Sequence, residues 1–219
     1  GYLTGIVYLV PDAKLCAHAK LAGCLAPCLN SAGRGAFNSV QAARKAKTQF
    51  FYNNQQAFML SVAADIWALK NKAAKLGLTP LVRLNGTSDI PYENIIVIDD
   101  MNIFQMFPDV QFYDYTKHPA RNLVGKTPGN YDLTYSFSGL TPKNVTIKGL
   151  TNPSNNRVAV VFARQDDIPS TFRTWDVIDG DNTDVRHIEP KNVVVALYAK
   201  GKAKNDYSGF TQIKGVHYA

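Results

Sequence analysis

Leu3-Thr-Gly-Ile-Val-Tyr-Leu-Val10, closed by Pro11 and followed by Cys16-Ala-His-Ala-Lys-Leu-Ala-Gly-Cys24-Leu-Ala-Pro-Cys28, decides how this chain folds. The run to Val10 is rich in β-forming side chains and stops at a proline, so it reads as a strand. A loop with three cysteines comes next and ends in Ser31-Ala-Gly-Arg-Gly35. Helical signals then take over. Asn38 or Ser39 can cap a helix running to about Tyr52, and Asn53 or Asn54 can cap a second. In that second helix Phe58, Val62, Ile66, Leu69, Ala73 and Leu76 share one face. Gly77 stops it and Pro80 follows, as helix ends favour.

Beyond Pro80 the period changes. Short apolar runs at Leu81–Leu84, Ile95–Ile98, Val110–Tyr115, Tyr131–Phe137, Val158–Ala163, Val177–Ile178 and Val193–Ala199 read as strands, with a short helix at Asn102–Phe107. Strands bounded by turns, with helices between the early ones, predict a single α/β domain over residues 1–219 built on a mainly parallel sheet. The strand count favours a partial or complete β/α barrel of the TIM type, with later crossovers too short for full helices. A doubly wound sheet is the alternative. No internal repeat or linker interrupts the pattern.

Composition narrows the class. The chain has 219 residues, 46% of them hydrophobic and 11% aromatic, which excludes a disordered or collagen-like chain. Its longest apolar stretch, Val193 to Ala199, is far shorter than the roughly 20 residues of a membrane span. No charged-then-apolar leader opens it. The expectation is a soluble cytoplasmic protein with no membrane partner.

All three cysteines lie within thirteen residues, an odd number with nothing elsewhere to pair with. Such clustering favours metal ligation over crosslinking. Three readings stand beside one another. Zinc would take Cys16, Cys24 and Cys28 with His18 as a fourth ligand. A [4Fe–4S] cluster would take the three thiolates and leave one iron open. The third reading is three reduced, buried cysteines without metal. Side chains placed to complete a fourth position are His18, Asp89 and Asp114.

Polar residues follow the strands: Asn85, Thr87 and Asp89; Asp114, Thr116 and Lys117; Ser136 and Ser138; Arg164 and Gln165; Asp179 and Asp181; Lys200 and Lys202. In parallel α/β folds these carboxyl ends converge on one mouth, where ligands bind. Asp179, Asp181, Asp184 and Arg186 either bind substrate there or form a turn held by Asx bonds and an ion pair. The net charge is +7, and Arg34, Arg44, Lys45, Lys47, Lys70, Lys72 and Lys75 face a single acid, Asp65, over the same stretch. That face permits nucleic-acid binding through phosphates, or is a solvated helix surface. Gly33-Arg34-Gly35 precedes a helix and reads as an anion site or a plain loop. No P-loop, nucleophile elbow, G-x-G-x-x-G or H-E-x-x-H is present, and no general acid, base or nucleophile can be named. Asn85-Gly-Thr87 and Asn144-Val-Thr146 match the glycosylation pattern, which reduced cysteines make irrelevant.

Four blocks carry a resemblance over essentially the whole chain. They are Gly23-Cys24-x-x-x-Cys28-Leu-x-x-Ala-Gly-Arg-Gly35, Arg83-Leu-Asn-Gly-Thr-Ser-Asp-Ile90, Phe107-Pro-Asp-Val-Gln-Phe-Tyr-Asp-Tyr-Thr-Lys117 and Val177-Ile-Asp-Gly-Asp181. They look like the phage "gene product 88" domain family. The order strand, three-cysteine loop, helix and further β/α units also resembles the radical S-adenosylmethionine superfamily. That second resemblance implies a [4Fe–4S] cluster on Cys16, Cys24 and Cys28 and S-adenosylmethionine at its open iron. Contacts to the cofactor would fall on Asn85, Thr87, Asp89, Asp114 and Ser136. The implied setting is the cytoplasm of an infected host, and the implied role an iron–sulfur enzyme. A cluster-bearing nucleic-acid binder without catalysis, or a zinc-holding structural protein, is the alternative.

Overall fold

The computed structural model of the chain describes residues 1–118, 121, 127–139 and 157–218. In chain order it begins with β1 (Tyr2–Ile6), α1 (Asn38–Asn53), α2 (Gln55–Leu76) and β2 (Thr79–Arg83). β3 (Ile96–Ile98), β4 (Met101–Asn102), α3 (Ile103–Met106), β5 (Gln111–Thr116) and β6 (Tyr131–Ser136) follow. β7 (Arg157–Phe162), β8 (Thr171–Phe172), β9 (Trp175–Asp179), β10 (Val193–Tyr198) and β11 (Thr211–Gln212) complete it. Asn144-Val-Thr146 lies outside the described residues.

One sheet runs β1-β2-β5-β6-β7-β10-β9-β8, with β11 also paired to β7. Its pairs are parallel except β8 with β9. β3 and β4 form a separate antiparallel pair. The first five strands of the sheet lie in chain order from the β1 edge, as in a barrel or a part of one. The order then inverts, because β10 sits beside β7 and β9 lies outside it. The architecture is therefore a large, mostly parallel sheet with few helices. After α3, the crossovers in the described residues carry only 3₁₀ turns.

The helices follow their sequence signals closely. The Asn54 side chain accepts the Ala57 N–H at 3.0 Å, and Gly77 ends α2 at φ 64°. Phe58, Val62, Ile66 and Ala73 are buried and Leu69 packs against the core, but Leu76 is 56% exposed, so the apolar face ends a turn early. α1 buries Arg44, Thr48 and Phe51, a face that grades from charged to aromatic.

The two faces of the sheet differ. Val82, Leu84, Phe112, Leu133, Tyr135, Val158, Val160, Phe162, Val194 and Ala196 enter two apolar clusters. Their alternates Arg83, Tyr115, Ser136, Val161 and Leu197 line a cavity instead. Strand alternation thus separates a packing face from a binding face. β6 pairs with β7 only through Tyr135↔Val158 and Ser136↔Ala159. Beyond that point β11 takes over, pairing with Val161 and Phe162. β6 and β7 therefore part toward their carboxyl ends, and the C-terminal segment fills the gap.

Candidate functional site

At the carboxyl ends of the parallel strands lies a cavity of about 920 Å³. Cys16, Cys24 and Cys28 line it, as do Asn85, Thr87 and Asp89 after β2, Thr116 and Lys117 at the end of β5, and Ser136 of β6. Asp181 and Asp184 reach it after β9, and Lys200 after β10. The expected convergence of strand ends is present, though not for every residue. Arg164 is exposed beside Asp167, and neither it nor Gln165, Ser138, Asp179 or Lys202 lines the cavity.

The cysteine loop is built by local bonds. Asp12 Oδ1 accepts the N–H groups of Lys14 and Leu15 at 2.8 and 2.9 Å, an Asx turn that opens the loop. The Ala19 N–H donates to the Cys16 carbonyl, the Cys24 N–H to the Ala19 carbonyl, and Gly23 supplies φ 67° between them. Two outside contacts clamp the loop: Asp89 N–H to the Leu15 carbonyl, and Ser208 Oγ to the Gly23 carbonyl, each at 3.0 Å.

Burial raises all three thiols. Cys16 is pushed up to about 12 by burial, then by Asp89, Cys28 and Cys24. Burial also raises Cys24, with Lys117 pulling the other way, and Cys28, with the Asn30 backbone N–H and Arg44 opposing. Cys16 responds to both other thiols and Cys24 to Cys28, whereas Cys28 responds to Asn30 and Arg44. Among the described residues, no group of three or more His, Cys, Asp or Glu side chains is placed to hold a metal ion. His18 instead sets its ring against His118, with centroids 4.3 Å apart. A lone zinc needs four donors around one point. The irons of a cubane cluster sit at separate corners, so its thiolates do not meet at one point, and three are enough when one iron stays open. Three thiols lining one cavity are a donor set compatible with the cluster.

The residues expected around a cofactor have other duties. Asn85 Oδ1 accepts from the Ser88 hydroxyl and the Ile90 N–H, and its Nδ2 donates to the Ile90 carbonyl. Thr87 Oγ1 donates to the Leu9 carbonyl at 2.5 Å, tying the loop after β2 to the chain leaving β1. Asp89 accepts from Lys117 N–H, Thr116 Oγ1 and Arg121 Nη1. Asp114 is 0% exposed and does not line the cavity. Its carboxylate accepts from the N–H groups of Leu84 and Asn85 and from Tyr131, with Arg83 Nε 3.7 Å away; burial nonetheless raises its pKa to about 7. Ser136 lines the cavity without those commitments. The Asp181 loop takes the turn form: Asp181 N–H donates to Asp179 Oδ1, Lys200 pairs with Asp181, and Arg186 Nη2 donates to the Gly180 carbonyl.

Two cavity residues, Arg83 and Tyr115, are not singled out by a reading of the strand ends, and a third, Lys117, is, without its role. Arg83 lies over the Tyr113 and Tyr115 rings and pairs with Asp184 at 2.7 Å. An arginine inside the apolar Leu81–Leu84 run was its visible signal. The buried Tyr115 hydroxyl finds no partner among the described residues. Lys117 donates to the Phe137 carbonyl at 2.9 Å beneath the Phe210 ring, and burial lowers its pKa to about 8. The basic stretch also divides. Arg34, Arg44 and Lys47 turn to the cavity, while Lys70 pairs with Asp109 on the outside. The seven basic residues therefore do not present one common surface for nucleic acid.

No helix among the described residues is long and apolar enough to cross a membrane. The model of a protein family described as Gene product 88 matches residues 1–212. No curated protein and no solved structure matches the chain, and none of these comparisons carries the resemblance to radical S-adenosylmethionine enzymes.

Proposed function

We propose that this chain, which belongs to the Gene product 88 family of phage proteins, holds a [4Fe–4S] cluster through Cys16, Cys24 and Cys28. One observation carries the reading: all three cysteines of the chain line a single cavity at the carboxyl ends of a parallel sheet. When bound, such a cluster supplies one-electron chemistry and an iron open to an added ligand. The protein supplies the rest. Lys117 beside Cys24 and Arg44 beside Cys28 offset thiolate charge. The loop after β2, closed on itself by Asn85 and tied down by Thr87, walls the cavity. The finer reading is an enzyme that places S-adenosylmethionine in this cavity, whose size falls within the roughly 300–1,000 Å³ of small-molecule sites. With Asn85 and Thr87 committed elsewhere and Lys117 donating to the Phe137 carbonyl, Ser136 and the Tyr115 hydroxyl are left to meet it.

Anaerobic purification tests the first step. The protein should be brown and contain about four irons per chain, and Ala at any of the three cysteines should remove the colour. A colourless protein with one zinc overturns the reading. Adding S-adenosylmethionine to the reduced protein tests the second step. A changed electron paramagnetic resonance signal with release of 5′-deoxyadenosine supports the enzyme, and silence from an intact cluster rejects it.

A further inference from the structure

Arg44 is 7% exposed, yet it is a charged side chain whose needs are only partly met. Its Nη1 donates to the Asn30 carbonyl and Oδ1 at 2.7 and 2.8 Å, while its Nε is buried without a partner. Its guanidinium lies 4.6 Å over the Tyr8 ring. Gly35 makes that position possible, because a Cβ there would stand 3.1 and 3.3 Å from Nη1 and Nη2 and 2.6 Å from the Asn30 carbonyl oxygen. Lys47, one turn further along α1, lines the same cavity, and Arg34 stands at its rim.

Apart from Arg34 at the rim, the other cations of the cavity are answered. Arg83 meets Asp184, Lys200 meets Asp181, and Lys117 meets the Phe137 carbonyl. Arg44 and Lys47 have no ion pair among the described residues. Repulsion from Arg44 adds to burial in lowering the pKa of Lys47, which places the two charges close together. Arg44 is buried and Lys47 exposed, and the one acid that acts on Lys47, Asp65, forms no ion pair with it, so the two cations suit an added anion.

We infer that the α1 wall of the cavity, through Arg44 and Lys47, binds the phosphate group of a small-molecule ligand. Two adjacent cations match a doubly charged group better than a single carboxylate. Arg44 is recessed, so a small molecule that enters the cavity reaches it and a polymer lying across the surface does not. The Arg44 guanidinium also influences Cys28, which sets the bound phosphate next to the cysteine loop.

Isothermal titration of the purified full chain with inorganic phosphate and with pyrophosphate at low ionic strength tests this. Lys47→Ala should weaken binding on the order of tenfold, Arg44→Gln should weaken it more, and Lys72→Ala, on exposed α2 surface, should leave it unchanged. Should Arg44→Gln fail to fold, Lys47→Ala still decides, since Lys47 is exposed and makes no bond the fold depends on. Equal affinity in Lys47→Ala, or no phosphate binding at all, overturns the inference. So does a single-stranded oligonucleotide that binds more tightly than pyrophosphate and loses affinity equally in all three variants. The titration is repeated after iron is stripped. Unchanged binding supports the side-chain site whatever the fate of the cluster, and binding lost with the metal overturns it.

Discussion

A buried thiol becomes a ligand only by giving up its proton, so the environment of each cysteine sets its reactivity. Cys16 is buried beside Asp89 and pushed up to about 12, whereas Cys24 and Cys28 are half-buried with Lys117 and Arg44 nearby. In iron-free protein at about pH 8, iodoacetamide should therefore label Cys24 and Cys28 well before Cys16. Mass spectrometry of timed samples checks the order, and equal rates would contradict it. Acidification should weaken metal uptake, because each thiolate formed releases a proton. Gly180 is a second sensitive position. A Cβ there would lie 2.3 Å from Val195 Cγ1 and 2.8 Å from Arg186 Nη1. Gly180→Ala should cost about 1–3 kcal/mol in urea unfolding, and an unchanged midpoint would mean the sheet yields there. The cysteines announced themselves by clustering, whereas Gly180 and Gly35 matter through neighbours that sequence order hides.

At the scale of elements, α2 was legible almost to the residue, because one apolar face, a capping asparagine and a terminal glycine agree. Asn54→Ala should destabilise the protein by about 1 kcal/mol, since its side chain alone meets the Ala57 N–H. A urea midpoint matching that of the unaltered chain would show the cap to be redundant. α1 was less readable. Its N-cap is Phe37 without a side-chain bond, and the polar residues that looked like caps fall inside the helix. Asp114 shows why polar residues at strand ends mislead. Tyr113 and Tyr115 point to the face where Arg83 lies, so Asp114 alternates to the opposite face, beneath Tyr131 and the β2 backbone. The pleat decides which residue sees the cavity, and a list of polar residues after strands carries no phase. Asp114→Asn should therefore affect stability before any ligand, because it weakens the acceptor for Leu84 and Asn85 N–H groups. A variant of undiminished stability that lost iron or phosphate binding would place Asp114 in the site after all.

Over the whole molecule, β6 and β7 part company and the C-terminal segment occupies the opening beside the cavity, which Phe210 lines. No periodicity could reveal β11, a two-residue strand defined only by its pairing with Val161 and Phe162. The same segment bonds Gly139 N–H to the Gly209 carbonyl and Ser208 to the cysteine loop, and sets Phe210 over Lys117. Tyr218 completes it, with its ring 5.4 Å from Phe162 and its hydroxyl on the Asp167 carbonyl. The segment therefore serves the sheet and the site at once, and the two roles can be separated. A chain ending at Asn205 should unfold at lower urea, because Phe162 and Phe172 lose their cover, and, if the proposed cluster is held, should release its iron to a chelator faster. Phe210→Ala removes only the ring above Lys117. It should leave the unfolding midpoint close to that of the unaltered protein while still speeding iron release, since water then reaches the lysine beside Cys24. If Phe210→Ala releases iron no faster than the unaltered chain, the segment acts on the sheet alone, and the cysteine loop is closed from elsewhere.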